Sequence, residues 1–362
     1  MRGLVTFELE DPAADVLVVT SGWPDPDNET YCVFIKRQVE SLVERGLHCD
    51  VLFIRGYLSR LAYVLGAVRL AGWSISGRRR YRLVHAHGGE AALPATFFRR
   101  APLLVSYMGD DLLGTPRPDG RVGLRSRLRR SLFRQHARLA TRTITKSLEM
   151  QDALPSSVQE RNTVLPNGVD TRLFHPVERS VARRELGWDA EAPVVLFAAD
   201  PAVARKRFWL AEEAVATARQ QVRQLQLHVA AGVSPDLIPT LMNAADCLIL
   251  TSSIEGSPNV VKEALMCDLP VVATDVGDVA DLLRGVEPSY VCPPKKDSLS
   301  CALIRCVQER ARSNGRQLST RLDARAVADE LLGIYRSIAP ISVRRAAGPG
   351  REVRPTPESA ET

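Results

Sequence analysis

The chain is predicted to be α/β, built as two successive units that each hold a parallel sheet covered by helices on both faces. Short apolar runs such as Val16–Thr20 and Leu103–Ser106 alternate with segments of helical period, the pattern of strands buried on both sides. That alternation restarts at Val194 after an aperiodic stretch, so it describes two sheets rather than one. Residues 246–283, DCLILTSSIEGSPNVVKEALMCDLPVVATDVGDVADLL, read as strand, polar loop, helix start and strand, a βαβ unit with its ligand-facing end marked out.

In the first unit Val16–Thr20 is the first buried strand, and residues 34–45 form an amphipathic helix ended by Gly46. A strand over 51–54, a helix over 58–72, a strand over 83–86 and a helix over 90–100 lead to Leu103–Ser106. A long helix over 124–139 and a short strand over 143–145 complete the unit. The second unit has strands over 194–198, 227–230, 247–250, 271–273 and 290–291. Between 247–250 and 271–273, Pro258 suits the first helical position, where its missing N–H leaves no bond unmade. The N–H groups after it point out of the helix start, with the positive end of the dipole behind them, a suitable place for an anion. Residues 164–176, VLPNGVDTRLFHP, carry the turn dipeptide Asn167-Gly168 without any period and read as a linker. The predicted organisation is a first domain over 1–166, a hinge over 167–176, a second domain over 177–322 and a final helix over 323–340. Residues 341–362, rich in Arg, Pro, Gly and Glu, are predicted to be a disordered tail.

At 362 residues the chain exceeds one ordinary core, and 45% hydrophobic with 25% charged residues is the balance of a soluble globular protein. Its seven cysteines are dispersed, without a C-x-x-C pair, which points to a reducing compartment and away from disulfides or a zinc site. The start, MRGLVTFELEDPAAD, holds four acids and no apolar core, so no signal peptide is expected there. The most apolar long stretch, 58–75, is interrupted by Arg60 and Arg69, so no membrane span is expected. A cytoplasmic protein follows from these features.

The string E-G-S-P-N-x-x-x-E, followed by A-L-x-x-x-x-P-V-V-A-T, resembles the signature of the GT-B retaining glycosyltransferases of family 4, with Glu255 and Glu263 at the required spacing. The stretch P-N-G-V-D-x-x-x-F-x-P at 166–176 resembles the hinge of the same family, and the resemblance extends over about residues 16–338. It implies two Rossmann-like domains facing each other across a cleft, with the last helix, Ala324–Ile338, crossing back to the first domain.

The resemblance also implies a nucleotide-sugar donor, UDP- or GDP-linked, and a saccharide or lipid-linked acceptor, in surface polysaccharide or glycoconjugate synthesis. Glu263 would accept the ribose hydroxyls and Glu255 would contact the transferred sugar, while Ser257, Pro258, Asn259 and Val260 border the diphosphate. Ser257 and Asn259 have a second reading as helix caps. Lys206 matches the family lysine that stabilises the departing diphosphate. Its companion arginine is missing, since Asp200 holds that place, and Arg205 or Arg207 is the candidate substitute. In the first domain SYMGDDLLG resembles the H-G-x-D loop, so Gly109 and Asp111 would face the donor, with Met108 where histidine is common. His87, ending a predicted strand, is a candidate catalytic residue with Glu255 and Lys206, or else a structural one. Asn28, Glu29 and Thr30 are acceptor-side candidates. No metal and no cofactor are expected, the nucleotide sugar being a substrate.

Two other classes compete with this reading. A sugar-nucleotide 2-epimerase shares the fold, but the hinge and the E-G-S-P-N loop fit a transferase better. The net charge of +6 and pI of about 9.0 raise nucleic-acid binding. Against it, the arginines crowding 121–142 have only Phe133 among them as an aromatic, and no nucleic-acid motif accompanies them. Leucines interleaved with these arginines suit an anionic membrane surface at the inner face of the plasma membrane, or an ordinary exposed helix.

Overall fold

The computed structural model describes residues 3–26, 29, 31–116, 122–341 and 343. The strands of the first unit are β1 (Val5–Leu9), β2 (Val16–Thr20), β3 (Cys49–Ile54), β4 (Leu83–His87), β5 (Leu103–Ser106), β6 (Arg142–Thr145) and β7 (Asn162–Val164). They form one sheet in the order β1-β3-β2-β4-β5-β6-β7, parallel except for β1, which runs antiparallel to β3 at the edge. β1 and β7 escape the sequence reading because they are edge strands of half-buried residues and lack an apolar run. The strands of the second unit are β8 (Val194–Phe197), β9 (Gln226–Val229), β10 (Cys247–Leu250), β11 (Val271–Thr274) and β12 (Tyr290–Cys292). Their sheet is wholly parallel in the order β12-β11-β10-β8-β9.

Helices of seven or more residues are α1 (Val33–Glu44), α2 (Leu61–Ser76), α3 (Gly89–Ala95), α4 (Leu124–His136), α5 (Arg179–Leu186), α6 (Phe208–Ala218), α7 (Ile238–Ala244), α8 (Asn259–Met266), α9 (Lys296–Glu309) and α10 (Ala324–Ile338). On one face of the first sheet α2, α3 and α4 bury Leu70, Ala92 and Phe133 against Leu17, Val19 and Leu52. On the other, Val39 and Leu42 of α1 meet Leu331 and Tyr335 of α10 over Val18 and Val51. α10 therefore leaves the second unit and packs on the first. In the second unit α7 and α8 cover one face and α6 and α9 the other, with Leu265 and Leu303 fully buried. Each such side chain contributes about 1.5–3 kcal/mol by leaving water.

The aperiodic stretch between the units is tied at both ends. Leu165 N donates to Thr145 O (2.8 Å), Val169 N to Leu322 O (2.8 Å), and Ala324 N back to Val169 O (2.8 Å). A Cβ on Gly168 would stand 2.6 Å from Ala324 Cα, so only glycine lets the start of α10 pass so close. Of the expected tail, Ile341 and Val343 pack on the α1 face; its other residues lie outside those described. The helix expected over 90–100 ends at Ala95 instead, one residue after Pro94 removes a backbone donor.

Candidate active site

The C-terminal ends of both parallel sheets face each other, and the loops that leave them meet. After β10 the chain runs through Thr251–Pro258. Glu255, 12% exposed, accepts there from Lys206 Nζ (2.5 Å), Arg205 Nη1 (3.0 Å) and Ser252 Oγ (2.7 Å). Burial pushes this carboxyl up, but the Lys206 and Arg205 charges and their hydrogen bonds outweigh it and hold it below the ordinary range.

Arg205 and Lys206 lie in a single 3-10 turn, Ala204–Lys206, and α6 begins only at Phe208. The anion that these two cations face is Glu255. Arg207, named as a substitute for the missing arginine, is committed elsewhere. Its backbone is left-handed (φ 47°), and its guanidinium donates to Thr251 O (2.6 Å) and Ser252 O (2.6 Å). Thr251 Oγ1 donates to Lys206 O (2.7 Å) and Ser253 N to Arg205 O (2.8 Å), so the two loops are stitched into one rim.

α8 starts one residue later than predicted, at Asn259, with Pro258 as its N-cap. Neither candidate cap side chain serves it: Ser257 Oγ donates to Asp278 Oδ2 (2.7 Å), and Asn259 Oδ1 faces Asn167 Nδ2 of the linker (3.5 Å). Val261 N already finds Pro258 O (3.2 Å), whereas the N–H groups of Asn259 and Val260 stand in the first turn, where no helical carbonyl precedes them. Glu263, one turn on, lines a cavity of about 280 Å³ with Val260, Ala198, Asp200, Gly232 and, from the first unit, Arg37. Burial raises its carboxyl, opposed by Arg37, whose Nη1 is 3.9 Å away.

The first unit contributes the loop after β5. A Cβ on Gly109 (φ 139°) would meet Gly256 N at 3.2 Å, and a Cβ on Gly256 would meet Met108 O at 2.9 Å. The two backbones therefore touch across the cleft. Asp111 sits on the inside of this loop. It is 1% exposed and accepts from the N–H groups of Met108 (3.1 Å), Gly109 (3.0 Å), Leu112 (3.0 Å) and Gly89 (3.2 Å), holding the loop from inside, while burial pushes its carboxyl up to about 7. His87 ends β4, 3% exposed, with its ring 4.1 Å from that of His85 and its Nδ1 without a partner among the described residues. Burial, then Lys146, lowers it to about 3, so it is neutral. His85 is bound on both sides, by Tyr335 of α10 (2.6 Å) and Ser106 (2.8 Å).

Glu29 is exposed and lines a second cavity of about 590 Å³ with Asp25, Lys36 and Arg37 of the first unit and Pro235 of the second. Asn28 and Thr30 lie outside the described residues. The sequence reading missed Arg37, which no motif marks, and Asp278, which lies four residues past the end of the P-V-V-A-T strand. It also passed over two buried lysines that hold the linker, Lys146 on Leu165 O (3.3 Å) and Lys262 on Asn167 O (3.0 Å).

Residues 191–309 match the family model described as glycosyl transferases group 1, and residues 7–168 match that described as glycosyl transferase 4-like domain. A D-inositol 3-phosphate glycosyltransferase of Segniliparus rotundus is 30% identical over 209 residues, 48% of this chain and 46% of that protein. A putative teichuronic acid biosynthesis glycosyltransferase of Bacillus subtilis is 24% identical over 247 residues, covering 63% and 61%. The chain thus spans about half the length of the curated relatives it matches. Among solved structures, a sucrose-phosphate synthase from Thermosynechococcus elongatus superposes with a TM-score of 0.69 at 18% identity, over 89% of this chain and 98% of that one. Anabaena HepE in complex with UDP-glucose gives 0.64 at 20%, over 89% and 99%. At these identities the likeness establishes the fold.

Proposed function

From a chain that belongs to the group 1 glycosyltransferases and has the GT-B fold, we propose a retaining, metal-independent transferase of family 4 type. It moves a sugar from a UDP- or GDP-linked donor to a saccharide or lipid-linked acceptor. The carrying observation is the cluster of Glu255 with Arg205 and Lys206 beside the first turn of α8, one turn from Glu263. HepE, which superposes over nearly its whole length, is described in complex with UDP-glucose, which favours a nucleotide-sugar donor here too.

In this reading the nucleoside enters the cavity of Glu263, whose carboxylate accepts the ribose hydroxyls in place of Arg37. The diphosphate draws Arg205 and Lys206 from Glu255 and takes the open N–H groups of Asn259 and Val260. Glu255, released, contacts the sugar. As the bond to the anomeric carbon breaks, negative charge grows on the leaving phosphate, and Lys206 stabilises it most at that point. The acceptor hydroxyl attacks from the same face, and its proton passes to the departing phosphate oxygen. Both motif carboxylates have binding roles, so neither forms a covalent intermediate. Gly109 and Gly256 let the two domains close to this distance and exclude water.

A cytoplasmic place at the inner membrane face goes with a lipid-linked acceptor. No helix among the described residues is long and apolar enough to cross a membrane. α4, the Arg-rich segment, exposes Leu124 and Leu128 by 68% and 62%, among Arg125, Arg127 and Arg130, which suits anionic headgroups. The test is NMR of the initial product from an α-linked donor: an α linkage is expected, and a β linkage overturns retention.

A further inference from the structure

Helix α2 has its apolarity turned outward. Its buried positions are the small Ala62 and Gly66 with Leu70, while Leu61, Val64, Val68 and Ile75 are 45%, 57%, 66% and 82% exposed. Those four recur at helical spacing on one stripe, with Leu65 and Gly72 between them, and the stripe carries no charge over the whole helix. A helix on a protein surface normally puts polar residues there. The one charge in α2, Arg69, turns inward over Phe7 and Trp73 (5.1 and 4.9 Å) and donates to Val5 O (3.0 Å). Leu58 and Phe97, 60% and 50% exposed, add to the apolar surface.

The border of this surface is basic. Arg60 precedes the helix, Arg78 and Arg80 follow it, and Arg99 lies beyond Phe97; all four are exposed. No Asp or Glu occurs between Asp50 and Glu90. An uncharged stripe rimmed by arginines is complementary to an apolar interior under anionic headgroups. At sixteen residues the helix is about 24 Å long, so it lies along a bilayer rather than across it. It stands on the same face of the first sheet as α4. It also begins beside the cleft, because Tyr57, half exposed, donates from its hydroxyl to Asp25, which lines the cavity of Glu29.

We propose that the exposed stripe of α2 is the apolar anchor that seats the enzyme on an anionic lipid bilayer, with the mouth of the acceptor-side cavity turned to that surface. This rests on the membrane association proposed above and moves its apolar contact from α4 to α2. A lipid-linked acceptor then reaches the cleft without leaving the membrane.

Co-sedimentation with vesicles of phosphatidylcholine, alone and in equal mixture with phosphatidylglycerol, tests it on the full chain. The parent should bind the mixed vesicles and lose them as salt rises. The double variant Val64→Ser/Val68→Ser should bind at least about tenfold more weakly. Its melting temperature and its donor hydrolysis in solution should be those of the parent, since neither side chain is buried. Arg78→Glu/Arg80→Glu should abolish the preference for phosphatidylglycerol and leave the residual binding insensitive to salt. Full binding by the serine variant overturns the proposal. If Leu128→Ser/Leu132→Ser alone loses the vesicles, α4 is the anchor and α2 is not. A parent that ignores vesicles of both kinds overturns the membrane association itself. A parent that ignores them but is a dimer, converted to monomer by the α2 serines, assigns the stripe to a second copy of the chain and overturns the lipid proposal.

Discussion

Arg37 Nη1 of α1 lies 3.9 Å from Glu263 Oε1 of α8, an ion pair between the two units of the fold, and the same guanidinium sits over the Phe174 ring at 5.7 Å. Both partners are mostly shielded, at 24% and 20% side-chain exposure. The pair stands in the cavity proposed for the nucleoside, where ribose would compete with Arg37 for the carboxylate. Arg37→Met should therefore tighten UDP or GDP binding modestly, by about fivefold at most, because such pairs are worth about 0–1 kcal/mol. Titration calorimetry reads it directly; unchanged affinity would mean that Arg37 and the ribose do not share Glu263.

Lys206→Ala should act on the other end of the donor. Growing charge on the leaving phosphate loses its cation, so kcat should fall by about 10²–10³ while the donor Kd changes far less. Arg205 still neutralises Glu255 in that variant (3.0 Å), so the loop should hold its shape. A drop confined to donor affinity would take Lys206 out of the leaving-group role.

The cleft closes on bare backbone. Gly256→Ala places a Cβ 2.9 Å from Met108 O, and neither side of that contact can yield cheaply. Turnover should fall at least about tenfold with little change in melting temperature, because the clash lies between units and not within a core. Thermal denaturation beside steady-state kinetics separates the two; equal loss of both would place the contact in the folding core.

His87 gives a pH signature. Buried and lowered to about 3, it stays neutral in the folded chain, while the unfolded chain binds a proton near 6.5. The unfolded state thus holds more protons between these values, and stability from this group is fully present above pH 6.5 and lost as pH falls toward 3. The slope is at most about 1.4 kcal/mol per pH unit. His87→Gln should remove that part of the dependence, and urea unfolding at a series of pH values compares the two proteins. Parallel curves would mean that His87 is not held neutral.

The sequence makes the second unit nearly transparent because a parallel strand buried on both faces has to be a short apolar run, as Cys247–Leu250 and Val271–Thr274 are. Glu255, Glu263 and Lys206 stand out in the sequence through their resemblance to the family motif, and the fold joins Glu255 and Lys206 in an ion pair. Arg37 does not stand out, because its partner is 226 positions away in the chain, and only the folded geometry joins them. Asp111 stands out through its resemblance to the family loop, and only the fold shows its oxygens engaged by the backbone N–H groups of that loop. The outward apolarity of α2 shows in the sequence only as a stretch too hydrophobic for its length; which side faces water needs the fold.

In the proposed reading the Glu255–Arg205–Lys206 cluster and Glu263 form one donor site. Calorimetric titration of UDP and of GDP into the parent and Glu263→Ala is the decisive measurement. One of the two nucleotides should saturate the parent at a single site, and Glu263→Ala should weaken it by about tenfold or more through lost hydrogen bonds to a charged acceptor. Equal affinity in parent and variant would contradict the site.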